Sequence, residues 1–511
     1  MIIKKVLFVT TVLALVISAC APSQSAESLS PSTQSEIKNI PASTPVPISG
    51  YDEKDTYDQN NDDITTYQAG KYISTDDDNY STFGVDVDTA SYTMTRKYLH
   101  DNRLPPTDSI RTEEFINFFE MDYMNPTTSA FGLLADAAPS PFDQGKYLLR
   151  IGIKGHEVSE YDRKPLALVF VIDVSGSMSS TGKLSLVKDS LELLVNRLLP
   201  GDTVSIVVFG SETKVILPPT DVINKREILR SLYGLHSSGS TNAEAGLRAG
   251  YQISIENFDP GLNNRVILCS DGVANVGLTE ANRLLDFIRG YANAGISLTT
   301  LGFGMGDFDD SFMEELADDG DGFYAYIDDE DEARRLFVDE LVSTMQVIAI
   351  DAKVQVEFNQ DIVQQYRLIG YENRSIEDED FRNDSVDAGE IGSGHSVTAL
   401  YELILNPYEK GRIATVNFRW EDPDNRNVQE VSGDYFTWDL IEDFDEANDN
   451  YQLAVIVAQF AEILKGEEYK DGMNIRALFP YISKLVENFP KDHDIQELEE
   501  LIYKAYALLE L

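Results

Sequence analysis

The sequence predicts an α/β protein: a mostly parallel central sheet with helices on both faces, set into a β-sandwich and followed by C-terminal helices. Three observations carry this. From Leu166 to Met345, short and nearly continuous apolar runs alternate with amphipathic stretches, as expected of strands buried on both faces. On either side of that block apolar and polar residues alternate strictly, as in half-buried antiparallel strands. Residues 447–511 then take a helical period, with apolar clusters at Leu453–Ala461 and Leu498–Leu509.

Taken in order, the chain opens with what reads as a secretory signal over residues 1–19. Lys4 and Lys5 supply the positive region, Val6–Ile17 the apolar core, and Ser18-Ala19 the small residues before Cys20. The apolar core is too short to span a bilayer as a helix, which needs about 20 residues. Ile17-Ser18-Ala19-Cys20 resembles a bacterial lipobox, which implies that Cys20 is acylated and becomes the first residue of the mature chain. Ala21 after it does not, by the same resemblance, signal inner-membrane retention. The expectation is an exported protein lipid-anchored to a bacterial membrane, either the cell membrane or an outer membrane. Residues 20–80, rich in Ser, Thr, Pro and Gln and then in Asp and Asn, cannot bury enough to fold and read as a tether. A flexible segment of this size spans roughly 40 Å, from 5–6 Å × √n. The Asp76–Asp78 run reads as solvated linker, without the spacing of a Ca²⁺ loop.

Residues 81–163 contribute Lys146–Lys154, in which Tyr147, Leu149, Ile151 and Ile153 alternate. The block 164–346 holds candidate strands at Leu166–Ile172, Val204–Phe209, Lys214–Leu217, Arg265–Ser270, Ile296–Phe303 and Phe323–Ile327. The first helix between them carries Leu184, Val187, Leu191, Leu194, Val195 and Leu198 on one face. Residues 347–440 return to strict alternation at Ile350–Phe358, Val397–Leu405 and Ala414–Trp420. Because a lone pair of strands is marginal, strands from both flanks are expected to share one sandwich into which the α/β block is inserted. Residues 441–511 are then helices packing on it.

Composition narrows the function. The chain of 511 residues holds 41 basic against 87 acidic residues, a net charge of −46. Nucleic acid is excluded as a partner, since phosphate binding needs clustered Lys and Arg. Of two cysteines, Cys20 belongs to the lipobox and Cys269 to an apolar strand, so no intrachain disulfide is expected once Cys20 is acylated.

The chemistry concentrates at Asp173-Val-Ser175-Gly-Ser177, which puts one carboxylate and two hydroxyls where a buried strand breaks into a loop. Thr241 precedes the helix starting near Ala243, and Asp271 ends the strand Arg265–Ser270. All three segments fall on the carboxyl edge of the predicted sheet, where open α/β sheets collect ligands. Three hydroxyls and only two carboxylates leave a divalent ion electrophilic, able to accept an outside carboxylate oxygen. Ca²⁺ favours more oxygens and bidentate carboxylates, so Mg²⁺ (or Mn²⁺) fits better. Asp318-Asp319-Gly320-Asp321-Gly322 lacks a Ca²⁺ loop's trailing Glu and reads as a turn.

Leu168-Val-Phe-Val-Ile-Asp173-Val-Ser175-Gly-Ser177-Met178, with Ser240-Thr241-Asn242 and Leu268-Cys-Ser-Asp271-Gly272, resembles a von Willebrand factor type A (VWA) domain with an intact metal-ion-dependent adhesion site. Thr82-Phe-Gly-Val-Asp-Val-Asp-Thr-Ala-Ser-Tyr92 and Arg111-Thr-Glu-Glu-Phe-Ile-Asn-Phe-Phe119 look like the N-terminal part of bacterial YfbK-type lipoproteins, and the chain beyond about 330 is similar to their C-terminal domain. The resemblance implies a Rossmann-like fold for the block. It implies that Asp173, Ser175, Ser177, Thr241 and Asp271 hold the metal directly or through water, and that a protein partner's Asp or Glu fills an open position. A hydrolase would need a nucleophile or base beside the metal. Of the five histidines only His236 lies near a metal motif, and the second carboxylate of an Asp-nucleophile pair is replaced by Ser175. No catalytic residue is therefore expected. A structural envelope protein with a stabilising metal, and a metal-dependent hydrolase, remain the alternatives at this stage.

Overall fold

A computed structural model describes residues 71–511 apart from 181, 273–277, 305–309, 385, 387, 467–474 and 511. The expected signal segment, Cys20 and most of the expected tether lie outside the described residues.

The N-terminal flank contributes β1 (Ile73–Ser74), β2 (Tyr80–Gly84), β3 (Phe131–Pro139) and β4 (Tyr147–Gly155). The middle of the chain holds β5 (Leu166–Asp173), β6 (Thr203–Phe209), β7 (Lys214–Asp221), β8 (Asn263–Ser270), β9 (Ile296–Phe303) and β10 (Tyr324–Ile327). The C-terminal flank adds β11 (Val347–Phe358), β12 (Val363–Ile369), β13 (Gly389–Gly392), β14 (Ser396–Leu405), β15 (Arg412–Glu421) and β16 (Val428–Phe436).

Strands from both flanks interleave in two facing sheets. One runs β1-β12-β14-β4-β3; the other runs β13-β11-β15-β16, with β2 also pairing β11. Their inner faces close one core in which Leu149, Ile151, Val397 and Tyr401 meet Val354, Val356, Ala414 and Phe418. The alternation on β4 and β14 is less strict in its burial than the sequence suggests. Leu148 and Leu400 face outward from the sandwich and are covered by the C-terminal helices Asp449–Lys465, Phe479–Asn488 and His493–Leu509. Those helices also pack on Tyr92, Leu99, Phe115 and Phe118, so the N-terminal helices Ala90–His100 and Thr112–Asn117 join them in one core.

One expectation is corrected here. Residues 71–80 are not tether: β1 pairs with β12 in the register Ile73↔Tyr366, and Tyr80 opens β2. Thr75 is buried and donates to the Val363 carbonyl at 2.5 Å. A two-residue strand is too short to show a period, and long-range partners hold it.

The central sheet runs β10-β9-β8-β5-β6-β7, parallel except for the antiparallel edge strand β7. Phe170, Ile172, Ile206 and Ile267 face one helical layer, Val169, Val171, Val207 and Leu268 the other. The opposite edge, β10, is capped by the N-terminal motif. Asp88 Oδ1 accepts from the Tyr324 amide at 3.1 Å, and Thr93 Oγ1 donates to the Tyr326 carbonyl at 2.9 Å. Side chains of Ala90–His100 thus occupy an edge that would otherwise be open to pairing. The block is entered and left at one end: the Lys164 amide donates to Gln346 Oε1 at 3.0 Å. Beside that joint the buried Arg163 forks onto Asp202 at 2.5 and 3.0 Å.

Candidate metal centre

β5 is apolar on both faces until Asp173, where the sheet ends and the chain must turn. The chain first moves outward from β5 to β6 and β7, then returns to β8 on the other side. The order therefore reverses between β5 and β8, and crevices form at such switch points. Ile172 registers with Cys269, so Asp173 and Ser270 end adjacent strands and Asp271 follows directly.

Asp173 is fully buried. Its Oδ1 accepts from the Ser175 amide at 2.7 Å and its Oδ2 from Ser270 Oγ at 2.9 Å. Ser175 Oγ lies 2.9 Å from Ser177 Oγ, which donates to Asp271 Oδ1 at 3.0 Å. The other oxygen of Asp271 accepts from Lys183 Nζ at 2.8 Å. Four of the five expected residues, Asp173, Ser175, Ser177 and Asp271, thus converge at one strand edge.

The fifth, Thr241, sits on a loop bound to the same edge. The Ser238 amide donates to the Val174 carbonyl at 2.6 Å and the Gly176 amide to the Gly239 carbonyl at 2.9 Å. Gly239 has φ +92°, and a Cβ there would fall 2.1 Å from Ser211 Oγ, so only glycine allows this approach. Thr241 is exposed, one residue before Asn242, which caps the helix Ala243–Glu256 by accepting from the Ala245 amide at 3.1 Å. Among the described residues no hydrogen bond joins the Thr241 hydroxyl to the other four side chains. Cys269 is buried beneath the site, and burial pushes its thiol well up.

Two further residues belong to the site. Ser270 was hidden as an ordinary strand end. Lys183 opens the helix Lys183–Arg197, where the helix dipole disfavours a cation; that misfit was the signal available in the sequence.

The donor set fits a hard divalent ion: every side-chain donor is oxygen, and two carboxylates alternate with hydroxyls. Burial raises Asp173 above the usual carboxylate range, the Ser175 and Ser270 hydrogen bonds pull it down, and Asp271 adds repulsion. A bound cation would relieve both the desolvation and the repulsion. Among the described residues no group of three His, Cys, Asp or Glu side chains is placed to hold a metal, so any ion here depends on the hydroxyls. His236 is exposed in the loop preceding Gly239.

A parallel sheet with one antiparallel edge strand, carrying a cluster of Ser and Asp side chains at its switch point, defines a VWA-domain protein. The family model described as von Willebrand factor type A domain matches residues 167–342. More specifically, the chain belongs to the family of the Escherichia coli protein described as "Uncharacterized protein YfbK", to which it is 33% identical over 416 residues, covering 76% of this chain and 72% of that one. The model for the YfbK C-terminal region matches residues 343–413, and one described as von Willebrand factor matches residues 58–150. Inter-alpha-trypsin inhibitor heavy chain H1 of Mesocricetus auratus is 30% identical over 178 residues, which is 33% of this chain and 19% of that protein. Among solved structures, a von Willebrand factor type A protein from Catenulispora acidiphila aligns over 74% of this chain and 90% of its own at 13% identity, with a TM-score of 0.44. VWA domains commonly bind protein partners and often hold a divalent metal.

Proposed function

We propose that this chain is a membrane-tethered binding protein that captures a protein partner through a divalent metal at the carboxyl edge of its central sheet. Asp173, Ser175, Ser177, Thr241 and Asp271 would hold Mg²⁺ (or Mn²⁺), and the metal would supply an electrophilic position for a partner's Asp or Glu. The observation that carries this reading is the hydrogen-bonded run from buried Asp173 through the Ser175 amide and the Ser175 and Ser177 hydroxyls to Asp271. Neutral hydroxyls make up most of the donor set, so the ion keeps a position that an anionic partner can fill, which favours capture over a closed structural site. The domain acts here as a binder, not as an enzyme. The anchor is the acylated Cys20, with the segment ahead of residue 71 as the tether.

Calorimetric titration of Mg²⁺ into the full chain tests the core of the proposal. Wild type binds, Asp173→Ala does not, and partner capture is lost both in Asp173→Ala and in EDTA. Capture unchanged by both treatments would overturn the mechanism. For the anchor, Cys20→Ser moves the protein from the membrane to the soluble fraction; an unchanged distribution removes the lipid from the account.

A further inference from the structure

Lys183 is the one cation touching the candidate metal residues among the described contacts, and the fold goes to some length to keep it there. Its Nζ lies 2.8 Å from Asp271 Oδ2, and both side chains are nearly buried, at 9% and 7% exposure. It occupies the first residue of the helix Lys183–Arg197, next to Gly182 at φ +83°. A positive charge at a helix N-terminus is unfavourable, so helix stability does not account for it. Its stem lies across Gly304, which has φ +81°; a Cβ on that residue would fall 2.3 Å from Lys183 Cε and 2.7 Å from Cδ. The glycine directly after β9 therefore leaves room for this side chain and fixes its course.

We infer that Lys183 sets the charge of the centre so that a bound divalent ion keeps a net positive charge and demands an anionic ligand of about one unit, a carboxylate. The inference rests on the metal reading above. Asp173 and Asp271 contribute two negative charges, and the Ser and Thr hydroxyls none. With Lys183 the protein's share is one negative charge, and a dication brings the centre to plus one. A single carboxylate then completes neutrality. Without Lys183 the same residues would neutralise the dication by themselves, and nothing electrostatic would draw a ligand in. Lys183 also holds Asp271 by one oxygen and leaves Oδ1, which Ser177 already meets, turned toward the site. It is thus a positioning residue that gives up metal affinity in exchange for ligand dependence.

The two effects carry opposite signs, which a merely structural lysine would not produce. An adjacent unit charge shifts a charged equilibrium by about 1–3 pK units, that is 10-fold or more. Mn²⁺ is titrated calorimetrically into the full chain with and without saturating acetate, using wild type, Lys183→Met and Lys183→Arg, with Asp173→Ala as the blank. Wild type binds Mn²⁺ more tightly when acetate is present. Lys183→Met binds Mn²⁺ about 10-fold tighter than wild type and loses the acetate effect, while Lys183→Arg keeps the wild-type pattern. Lys183→Gln replaces Lys183→Met if the latter does not fold. A Lys183→Met chain that binds Mn²⁺ equally or more weakly, or that keeps the acetate effect, overturns the inference and leaves the metal reading standing. Wild type that binds Mn²⁺ no better than Asp173→Ala overturns both.

Discussion

Replacing Glu113 with Gln should stabilise the protein at alkaline pH and leave it nearly unchanged in acid. Glu113 is fully buried where the N-terminal helix Thr112–Asn117 meets the loop after β12. Its Oε2 accepts from the Tyr371 amide at 2.9 Å, and its Oε1 has no hydrogen-bond partner among the described residues. Burial, with repulsion from Glu372 and Asp86, pushes it from 4.5 up to about 7. A carboxyl whose folded pKa is raised is favoured in its neutral form, so its stability is fully present below the unfolded value and is lost as pH rises through the folded one. Linkage then gives a penalty of roughly 3 kcal/mol near pH 8 and under about 1 kcal/mol near pH 5. Gln is a neutral isostere whose amide oxygen keeps the Tyr371 contact. Differential scanning calorimetry should show Tm rising by about 3 °C near pH 8 and by no more than about 1 °C near pH 5, given roughly 1–2 °C per kcal/mol in a chain of this size. Equal destabilisation at both pH values would mean that Glu113 is ionised and paired in the native state, and would refute the reasoning.

Three other outcomes are expected. His395 is half-buried and is pushed down to about 4, first by desolvation and then by the Arg335 and Lys154 cations. Its contribution is therefore present above the unfolded value and lost as pH falls toward about 4, and His395→Gln should flatten that acid limb in a Tm-versus-pH series. Asp202→Ala leaves the Arg163 guanidinium buried without its carboxylate and orphans the Leu166 and Leu199 amides; denaturant melts should show a loss of about 3–5 kcal/mol. Gly239→Ala forces an unfavourable φ and a clash with Ser211, displacing the Thr241 loop. Mg²⁺ titration should show about 10-fold weaker binding, for a strain of roughly 1–3 kcal/mol.

The central sheet was legible because strands buried on both faces are written as continuous apolar runs. Where the reading stopped short, edges explain it. Lys214–Leu217 extends to Asp221 through Pro218 and Pro219, residues that argue against a strand interior but are tolerated on an edge. β16 is exposed along most of its length, so Val428–Phe436 carries no apolar alternation to find. That Asp173, Ser175, Ser177 and Asp271 share one sheet edge was legible because each follows or ends a strand, a local property. Lys183 was not singled out, since its meaning depends on Asp271, far along the chain. The same holds for Asp88 and Glu113, whose partners Tyr324 and Tyr371 lie over 200 residues away.

β5 joins the two ends of the block: Leu166 begins beside the crossing of the chain at Lys164 and Gln346, and Asp173 closes it at the opposite rim. Eight residues of strand put roughly 26 Å between those points, at about 3.3 Å per residue. A load applied at the rim would run lengthwise along β5 into the sandwich. Its backbone is bonded on both sides, to β6 and to β8, so the pull would have to shear two ladders at once instead of peeling one. The strand that presents Asp173 is thereby held against tension from both sides.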